Sequence, residues 1–386
     1  MQRRDLLKLF ASSPLWLSGL PAFAESNPRW DRILVFIELK GANDSLNTII
    51  PYTDPLYYQF RPRLAIPRDK VLPLSEQVGM HPALRPLLPL WESKQLALVH
   101  GLGYKNPNPS HFRSIEIWNT GSDSETILRD GWLTRCFTHN PLPQNFSASG
   151  ISLNDDLGPL NGIKSKAIIM GNPKQFLNRT NNIDVEDAPT DNPALAHILE
   201  VQKSIKEASS ELFDKFIDEN YLSQSPFRSE IDSQLSVVAQ LIKNNVANPV
   251  YKLSLGNFDT HGNQPPQHQR LLQEFAEAVH HFREQLVRAN LWDRVVVITY
   301  SEFGRRPQEN SNLGTDHGTA ASHFVMGGSV IGGHYGQMPA LADLEENNLK
   351  FTTDYRQLYS TLIEKWWNIA PAQNLFAEFP ALALFT

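Results

Sequence analysis

Three short polar clusters contain carboxylates and imidazoles at spacings that suit a metal site. They are Gly41-Ala42-Asn43-Asp44, Asp259-Thr260-His261-Gly262, and Ser301-Glu302-Phe303-Gly304-Arg305 continuing to Thr315-Asp316-His317-Gly318. Each follows an apolar run typical of a buried β-strand, at Ile33–Leu39, Val250–Leu255 and Val295–Tyr300. Carboxylate and imidazole groups are ligands of divalent metals. The sequence therefore predicts a metal centre at the edge where the strands of an α/β sheet end.

The pair Asp259 and His261 is the sharpest local signal. In an extended chain, residues two apart point to the same side, so the pair can hold one ion together or two ions with one ligand each. An isolated Asp-x-His is more often a turn aspartate and a surface histidine. The companions Glu302, Asp316 and His317 favour the metal interpretation.

Glu302 and Arg305 lie directly after the third apolar run. A carboxylate that binds a metal cation, next to a guanidinium that binds anionic oxygens, suits the chemistry of phosphate or sulfate esters. The alternative is a structural ion pair between the two residues. Either His317 or His323 could complete the ligand set, and His317 is favoured because Asp316 can orient it within a flexible turn.

In the first cluster, Asp44 is the expected metal carboxylate and Lys40 the expected partner of an anion. The alternative for Asp44 is a turn in which its side chain satisfies its own backbone. Ser110 and His111 open a predicted helix. The simplest interpretation of Ser110 is an N-cap residue of this helix. The functional alternative is that Ser110 or His111 lies in a site at the helix N-terminus, which attracts anions.

Strand-like and helix-like patterns alternate along the chain, which predicts an α/β fold with a mostly parallel sheet sandwiched between helices. The predicted strands are Ile33–Leu39, Gln95–His100, Lys166–Met170, Val250–Leu255, Val295–Tyr300 and His323–Met326. The predicted helices are Pro82–Ser93, Ser110–Thr120, Pro265–Ala289 and Thr353–Trp367. Residues 192–245 have helical spacing without a convincing strand, and we interpret about 172–249 as a helical insertion that covers the site or packs beside it.

Residues 1–24 have the pattern of a twin-arginine export signal, with Arg3-Arg4, a short apolar stretch and a small-residue cleavage site. The remaining residues, 25–386, are expected to form a single domain that the twin-arginine machinery exports to the periplasm or beyond. No later stretch predicts a stable membrane span. The single cysteine, Cys136, excludes an internal disulfide, and a net charge of −6 without a basic tract argues against nucleic-acid binding.

A larger ordered set of motifs resembles the exported bacterial family known as domain of unknown function 1501. The set comprises Lys40–Thr48, Pro51-Tyr52, Ser110–Phe112, Ile117–Gly121, Gly131–Leu133, Asp259–Gly262, Ser301–Arg305 and Thr315–Gly318. That family resembles a distant branch of the alkaline phosphatase and sulfatase superfamily. The resemblance implies an alkaline phosphatase-like sandwich that binds one or two divalent ions, zinc or manganese. By position, the implied ligands are Asp44, Asp259, His261, Glu302 and His317.

The chain departs from this superfamily where the nucleophile is expected. That place falls near Pro107, which cannot attack an ester, and Ser110 or Ser45 are the nearby hydroxyls. One hypothesis is a periplasmic metal-dependent hydrolase of a phosphate or sulfate ester, small-molecule or glycan, with Ser110 or a bound water as nucleophile. Its catalytic residues would be Ser110, His111, Arg305 and Lys40. The alternative is a non-catalytic exported protein on the same fold that recognises an anionic ligand or a partner protein.

Overall fold

The computed structural model describes residues 27–146, 148–171, 176, 190–192, 195, 199, 202–203, 206 and 228–385. The predicted export signal, residues 1–24, lies outside the described residues, as does most of the predicted insertion at 172–249. The described end of that insertion forms a helix, Glu230–Lys243, which packs on the sheet and is an ordinary element of the fold. None of the helices in the described part of the chain is long and apolar enough to cross a bilayer.

The described elements alternate between strand and helix over much of the chain. The strands are β1 (Ile33–Leu39), β2 (Ile49–Ile50), β3 (Leu72–Pro73), β4 (Gly79–Met80), β5 (Leu96–Gly103), β6 (Ile151–Ser152), β7 (Ile168–Ile169), β8 (Val250–Leu255), β9 (Val295–Tyr300), β10 (Arg305–Glu309), β11 (Thr315–His317), β12 (Ala321–Gly327), β13 (Gly333–Tyr335), β14 (Leu344–Glu345), β15 (Asn348–Leu349) and β16 (Thr353–Asp354). The helices are α1 (Ser45–Thr48), α2 (Pro55–Phe60), α3 (Leu88–Glu92), α4 (His111–Thr120), α5 (Trp132–His139), α6 (Glu230–Lys243), α7 (Gln264–Arg288) and α8 (Tyr355–Thr361).

The main sheet has nine strands in the order β13-β5-β12-β9-β1-β8-β6-β7, with β16 beside β5. Among the described strands of this sheet, only β12 runs antiparallel to the others. The predicted α/β class with a mostly parallel sheet is therefore confirmed. The strand expected at His323–Met326 is β12. Its antiparallel direction could not be predicted, since a buried strand has the same apolar pattern in both directions.

Both faces of the sheet are covered by helices. Along β1, Val35 and Ile37 belong to the core on the side of α6 and α7, while Leu34 and Phe36 belong to the core on the side of α4, α5 and α8. Successive side chains of a strand point to opposite faces, so a strand covered on both sides is apolar throughout. This is why β1, β8 and β9 were recognisable with their correct bounds.

Two predicted helices are only partly regular. The helix expected at Pro82–Ser93 begins as a 3-10 helix, Pro82–Leu87, and continues as α3. Pro86 lies inside the 3-10 segment and has no N–H to donate, which prevents a continuous α-helix. The helix expected at Thr353–Trp367 starts with the short strand β16, and after α8 it continues as a π-helical turn, Leu362–Trp366.

Three adjacent parallel strands position the polar clusters. The strands β9, β1 and β8 are neighbours in the sheet, so their carboxyl ends lie at the same edge. The segments after them contain Glu302, Asp44 and Asp259, respectively. The hairpin β10–β11 pairs Arg305 with His317 and adds a fourth segment at this edge.

Gly41 allows two of these segments to meet. Its φ is +106°, a backbone conformation that side-chain-bearing residues rarely adopt, and a Cβ there would lie 2.5 Å from the backbone nitrogen of Asp259. Its N–H donates to Glu302 Oε1 at 3.0 Å. A glycine is therefore required where the segment after β1 passes between those after β8 and β9.

We predict that Gly41→Ala lowers the free energy of unfolding by on the order of 1–3 kcal/mol, because it adds both backbone strain and a steric clash. Chemical denaturation measures the loss. Gly256→Ala is the matched control, since a Cβ at Gly256 would meet no heavy atom within 4 Å. Equal stability of the Gly41→Ala variant and the wild type would contradict the close approach described here.

Candidate metal centre

Three imidazoles converge at the carboxyl edge of the sheet. His111 Nε2 lies 2.9 Å from His317 Nε2, and His261 Nε2 lies 3.0 Å from the same atom. Oxygens of Asp259 lie 3.0 Å from His261 Nε2, 3.5 Å from His317 Nε2 and 3.6 Å from His111 Nε2. His317 thus lies close to the other two imidazoles and Asp259 to all three, and these four residues come from three segments of the chain.

Two of these imidazoles have their tautomers fixed by the groups behind them. His111 Nδ1–H donates to Glu302 Oε1 at 2.6 Å, and His317 Nδ1–H donates to the carbonyl oxygen of Pro109 at 3.0 Å. A carboxylate and a carbonyl only accept hydrogen bonds, so both Nδ1 atoms carry the proton. In the neutral rings, Nε2 of His111 and Nε2 of His317 are then both unprotonated acceptors. When both rings are neutral, their lone pairs therefore face each other at 2.9 Å, a repulsive arrangement that a bound cation or an added proton on one ring relieves.

A cation at this point fits the donor set. Ligand nitrogens of a tetrahedral zinc ion, each about 2.0–2.1 Å from the metal, are separated by roughly 3.3 Å. The nitrogen separations of 2.9 and 3.0 Å are close to this value. Metal-binding histidines commonly donate their second N–H to a carboxylate or a carbonyl, as His111 and His317 do here. The group whose ligand atoms all lie within 4.8 Å of one another comprises His111, Asp259 and His317, while His261 lies at its margin, 3.0 Å from His317 Nε2 and from Asp259.

The protonation states of the cluster are set by its neighbours. The hydrogen bond with Glu302 raises the pKa of His111, whereas partial burial lowers the pKa of His317. Partial burial acts to raise the pKa of Asp259, but the hydrogen bond and charge of Arg305 outweigh it and leave that pKa below its ordinary value. Asp259 is therefore a carboxylate at neutral pH, as a metal ligand must be.

Glu302 was predicted as a direct ligand, but the structure places it behind His111. Its Oε1 accepts from His111 Nδ1 and from the Gly41 N–H, and its Oε2 accepts from the Ser301 hydroxyl at 2.9 Å. Burial acts to raise the pKa of Glu302, and these hydrogen bonds lower it below the ordinary value. The contacts make Glu302 the residue that orients His111. Conversely, His111, predicted as catalytic, belongs to the group of residues that could hold a metal ion.

Asp44 was also predicted as a ligand, and the structure places it in a buried ion pair instead. Arg61 donates from Nη1 to Asp44 Oδ2 at 2.6 Å and from Nη2 to Oδ1 at 3.0 Å. Gln264 donates to the same Oδ2 at 2.5 Å. Both carboxylate oxygens are thus engaged, and burial, which acts to raise the Asp44 pKa, is outweighed by the Arg61 charge that lowers it.

Arg305 was predicted to grip a substrate anion, but its guanidinium is buried and engaged on all three nitrogens. Nε and Nη1 donate to the carbonyl oxygens of Ala42 and Thr315, at 2.8 and 2.9 Å. Nη2 donates to the carbonyl of Gly41 and to Asp259 Oδ1, both at 2.6 Å. Arg305 therefore holds the loops together and positions Asp259.

The other predicted residues lie at or beyond the margin of the cluster. Lys40 is exposed and lines a cavity of about 1140 Å³ together with His111 and Asp259. Ser110 is exposed immediately before α4, and its hydroxyl makes no capping bond to the helix. His323, the alternative ligand, is buried beneath the site against Trp118, where burial lowers its pKa to about 3.

The residues that support the site could not be recognised from the sequence, because no local motif distinguishes them. Arg61 lies in a segment without a recognisable motif, yet it meets Asp44 across 17 residues of chain. Gln264 begins α7 and reaches the same carboxylate. Such buried partners are set by tertiary packing. Pro109 directly precedes Ser110, and the sequence could not indicate that its carbonyl accepts a hydrogen bond from His317.

The family model described as "Protein of unknown function (DUF1501)" matches residues 96–375. No curated protein matches the chain.

The chain is also similar to solved structures at low identity. The C-terminal periplasmic domain of EcEptC from Escherichia coli in complex with Zn is 8% identical, with 77% of this chain and 72% of that chain covered and a TM-score of 0.39. Lipoteichoic acid synthase LtaP from Listeria monocytogenes is 12% identical, with 86% and 78% covered and a TM-score of 0.32. A protein in the alkaline phosphatase superfamily from Vibrio parahaemolyticus is 10% identical, with 86% and 65% covered and a TM-score of 0.36.

We predict that Asp44→Asn and Asp259→Asn have different effects. Asp44→Asn leaves the Arg61 charge uncompensated in the interior, so the free energy of unfolding falls by about 3–5 kcal/mol while the folded protein still binds metal. Asp259→Asn weakens the compensation of the buried Arg305 charge but leaves its four carbonyl acceptors, so stability falls by less than in Asp44→Asn, while metal affinity falls. Denaturation and metal titration of both variants measure the two effects. Loss of metal binding in an Asp44→Asn protein that remains stable would contradict this assignment and indicate that Asp44 is a metal ligand.

We predict that Glu302→Gln weakens metal binding by about 10–100-fold without abolishing it, as expected for a residue that orients a ligand. His111→Ala removes a ligand and should weaken binding further. Competition with a chromophoric chelator gives both affinities. Equal loss in the two variants would indicate that Glu302 itself binds the ion.

Proposed function

The chain belongs to the DUF1501 family, and we propose that it is an exported, metal-dependent hydrolase of a phosphate or sulfate ester. The observation that supports this most strongly is the approach of His111 Nε2 and His317 Nε2 to 2.9 Å, with each Nδ1 bonded to an acceptor behind it. For two neutral rings without a cation, this arrangement is repulsive. With a cation, Asp259 would complete a three-residue ligand set, and His261, 3.0 Å from His317 Nε2, would be a further ligand.

His111, His261, His317 and Asp259 would hold the ion, and this imidazole-rich set suits zinc or manganese. A divalent ion here would polarise an ester oxygen and lower the pKa of a water molecule. Asp259 and His261 are each about half exposed, at 47% and 48% of their side-chain surface. Structural zinc sites are closed, whereas catalytic sites remain open to substrate. This exposure supports a catalytic role.

The N-terminus of α4 supports an anionic substrate. The first N–H groups of a helix have no partner within it and attract anions. The Ser110 side chain does not cap them, and His111, the first residue of this ten-residue helix, also belongs to the metal cluster. Lys40 adds a positive charge on the side of the large cavity. An anionic ester bound at the cluster would thus meet favourable charge from the helix and from Lys40.

The nucleophile would be a water molecule at the cluster or the exposed hydroxyl of Ser110, which directly precedes the ligand His111. Export rests on the twin-arginine pattern of residues 1–24. The alternative of a non-catalytic protein on the same fold draws support from Arg305, whose nitrogens are all engaged and which cannot grip a substrate.

We predict that the purified protein binds one divalent ion per chain and that His317→Ala and His261→Ala reduce this content to background. Elemental mass spectrometry measures it. His139→Ala, which alters an exposed histidine at the end of α5, is the control and should retain the ion. With the ion bound, we expect hydrolysis of at least one of 4-nitrophenyl phosphate, ethyl 4-nitrophenyl phosphate and 4-nitrophenyl sulfate.

Two outcomes would contradict this proposal in different ways. A protein that takes up no metal on titration would exclude the metal centre itself. A stoichiometric metal site with no turnover of any of these esters would favour the non-catalytic alternative. If turnover occurs, Ser110→Ala distinguishes the nucleophiles, because only a serine nucleophile makes that variant inactive.

A further inference from the structure

The metal cluster lies between two cavities of different size. His111 and Asp259 line a cavity of about 1140 Å³, and His317 lines a second cavity of about 580 Å³. Glu302 borders both. Since His111 Nε2 and His317 Nε2 are only 2.9 Å apart, a group bound at the cluster is within reach of both cavities.

The larger cavity has an apolar component that is unusually exposed. Phe112, Ile127 and Ile169 line it and expose 88%, 74% and 45% of their surface. Ile115, Leu128 and Leu157 also contribute to its lining. Large apolar side chains clustered at the surface beside a site mark a place where an apolar group is buried on binding.

The smaller cavity has the more polar surface of the two, although Glu116, Arg129 and Asp156 also line the larger cavity and Phe303 and Phe351 the smaller one. Its lining includes charged side chains of both signs: Lys105, Arg306, Lys350, Glu345 and Glu346. Polar and charged walls of this kind favour a hydrated, polar group. The two sides of the cluster therefore offer different environments to whatever is attached to an ester bound between them.

We propose that the substrate of this site is an amphiphilic phosphodiester, with an apolar substituent in the 1140 Å³ cavity and a polar substituent in the 580 Å³ cavity. A monoester has one substituent and would leave one cavity unused. A diester has two, and its phosphorus lies between them, as the cluster lies between the cavities. This inference rests on the proposed function and specifies its substrate class.

The reaction is a hydrolysis that needs no other reactant. The oxygen of water forms a bond to phosphorus, and the P–O bond to one substituent breaks. The electron pair of that bond leaves with the substituent's oxygen, which takes up one proton of the water. The products are an alcohol and a phosphate monoester.

Binding can be tested without turnover by calorimetry with O-methyl and O-hexyl methylphosphonate, anions that resemble one half of a diester. We expect the hexyl compound to bind the metal-loaded protein at least about tenfold more tightly, because five additional methylene groups leave water. Ile127→Asn and Phe112→Ser should remove most of this gain. Ile163→Asn is the matched control, since Ile163 is 75% exposed and does not line the cavity. Equal affinity of the two compounds for the wild type overturns the proposal.

Turnover separates this proposal from the proposed function. Faster hydrolysis of ethyl 4-nitrophenyl phosphate than of 4-nitrophenyl phosphate or sulfate supports a diester substrate. Preference for a monoester overturns the diester while leaving the metal-dependent hydrolase intact. Absence of hydrolysis of all three contradicts the proposed function, and absence of a chain-length effect in calorimetry contradicts the apolar subsite independently of it.

Discussion

The guanidinium of Arg305 joins the segments from which the site is built. Its donors reach backbone carbonyls after β1, after β8 and on β11, as well as the carboxylate of Asp259. The side chain is buried, so its charge is compensated by these acceptors rather than by water. Because one group fixes all these loops, the positions of Asp259 and His317 relative to one another do not depend on either loop alone. Gly41 is the corresponding backbone requirement, since it allows the segment after β1 to pass directly against Asp259.

On this frame, the hydrogen bonds behind the imidazoles determine the chemistry. Glu302 and the Pro109 carbonyl accept the Nδ1 protons of His111 and His317, and both rings therefore present unprotonated nitrogens to the same point. A hydrogen bond between these nitrogens would require a second N–H proton on one of the two rings, which would make that ring a positively charged imidazolium. A divalent ion satisfies both nitrogens at once. The same geometry that is unfavourable for two neutral rings would favour a bound divalent ion.

Much of the fold could be predicted because buried parallel strands have a distinctive composition. β1, β8 and β9 are continuous apolar runs, and the polar residues after them lie at one edge of the sheet. The direction of β12 and the irregular helices could not be predicted, since these depend on neighbouring strands and on backbone details. The short pairings β13 and β16 beside β5 contain too few residues to have a pattern.

Within the site, the residues expected from sequence lie at or near one edge of the sheet, but their contact partners could not be predicted. Asp259, His261 and His317 were expected as ligands, and the structure brings them together. Asp44 and Glu302 were equally plausible as carboxylates, and only the tertiary contacts with Arg61 and His111 distinguish them from a ligand. A carboxylate that pairs with a buried arginine, one that orients an imidazole and one that binds a metal ion all have the same pattern in the sequence.

X-ray absorption spectroscopy of the zinc-loaded protein tests the central claim most directly, because it reports the atoms bound to the ion. We predict a four- or five-coordinate zinc with three imidazole nitrogens at about 2.0–2.1 Å and at least one oxygen at about 2.0–2.2 Å. His317→Ala should lower the imidazole contribution to two. A zinc ion bound mainly by oxygen, or by fewer than three imidazoles in the wild type, would contradict the assignment of His111, His261 and His317 as its ligands.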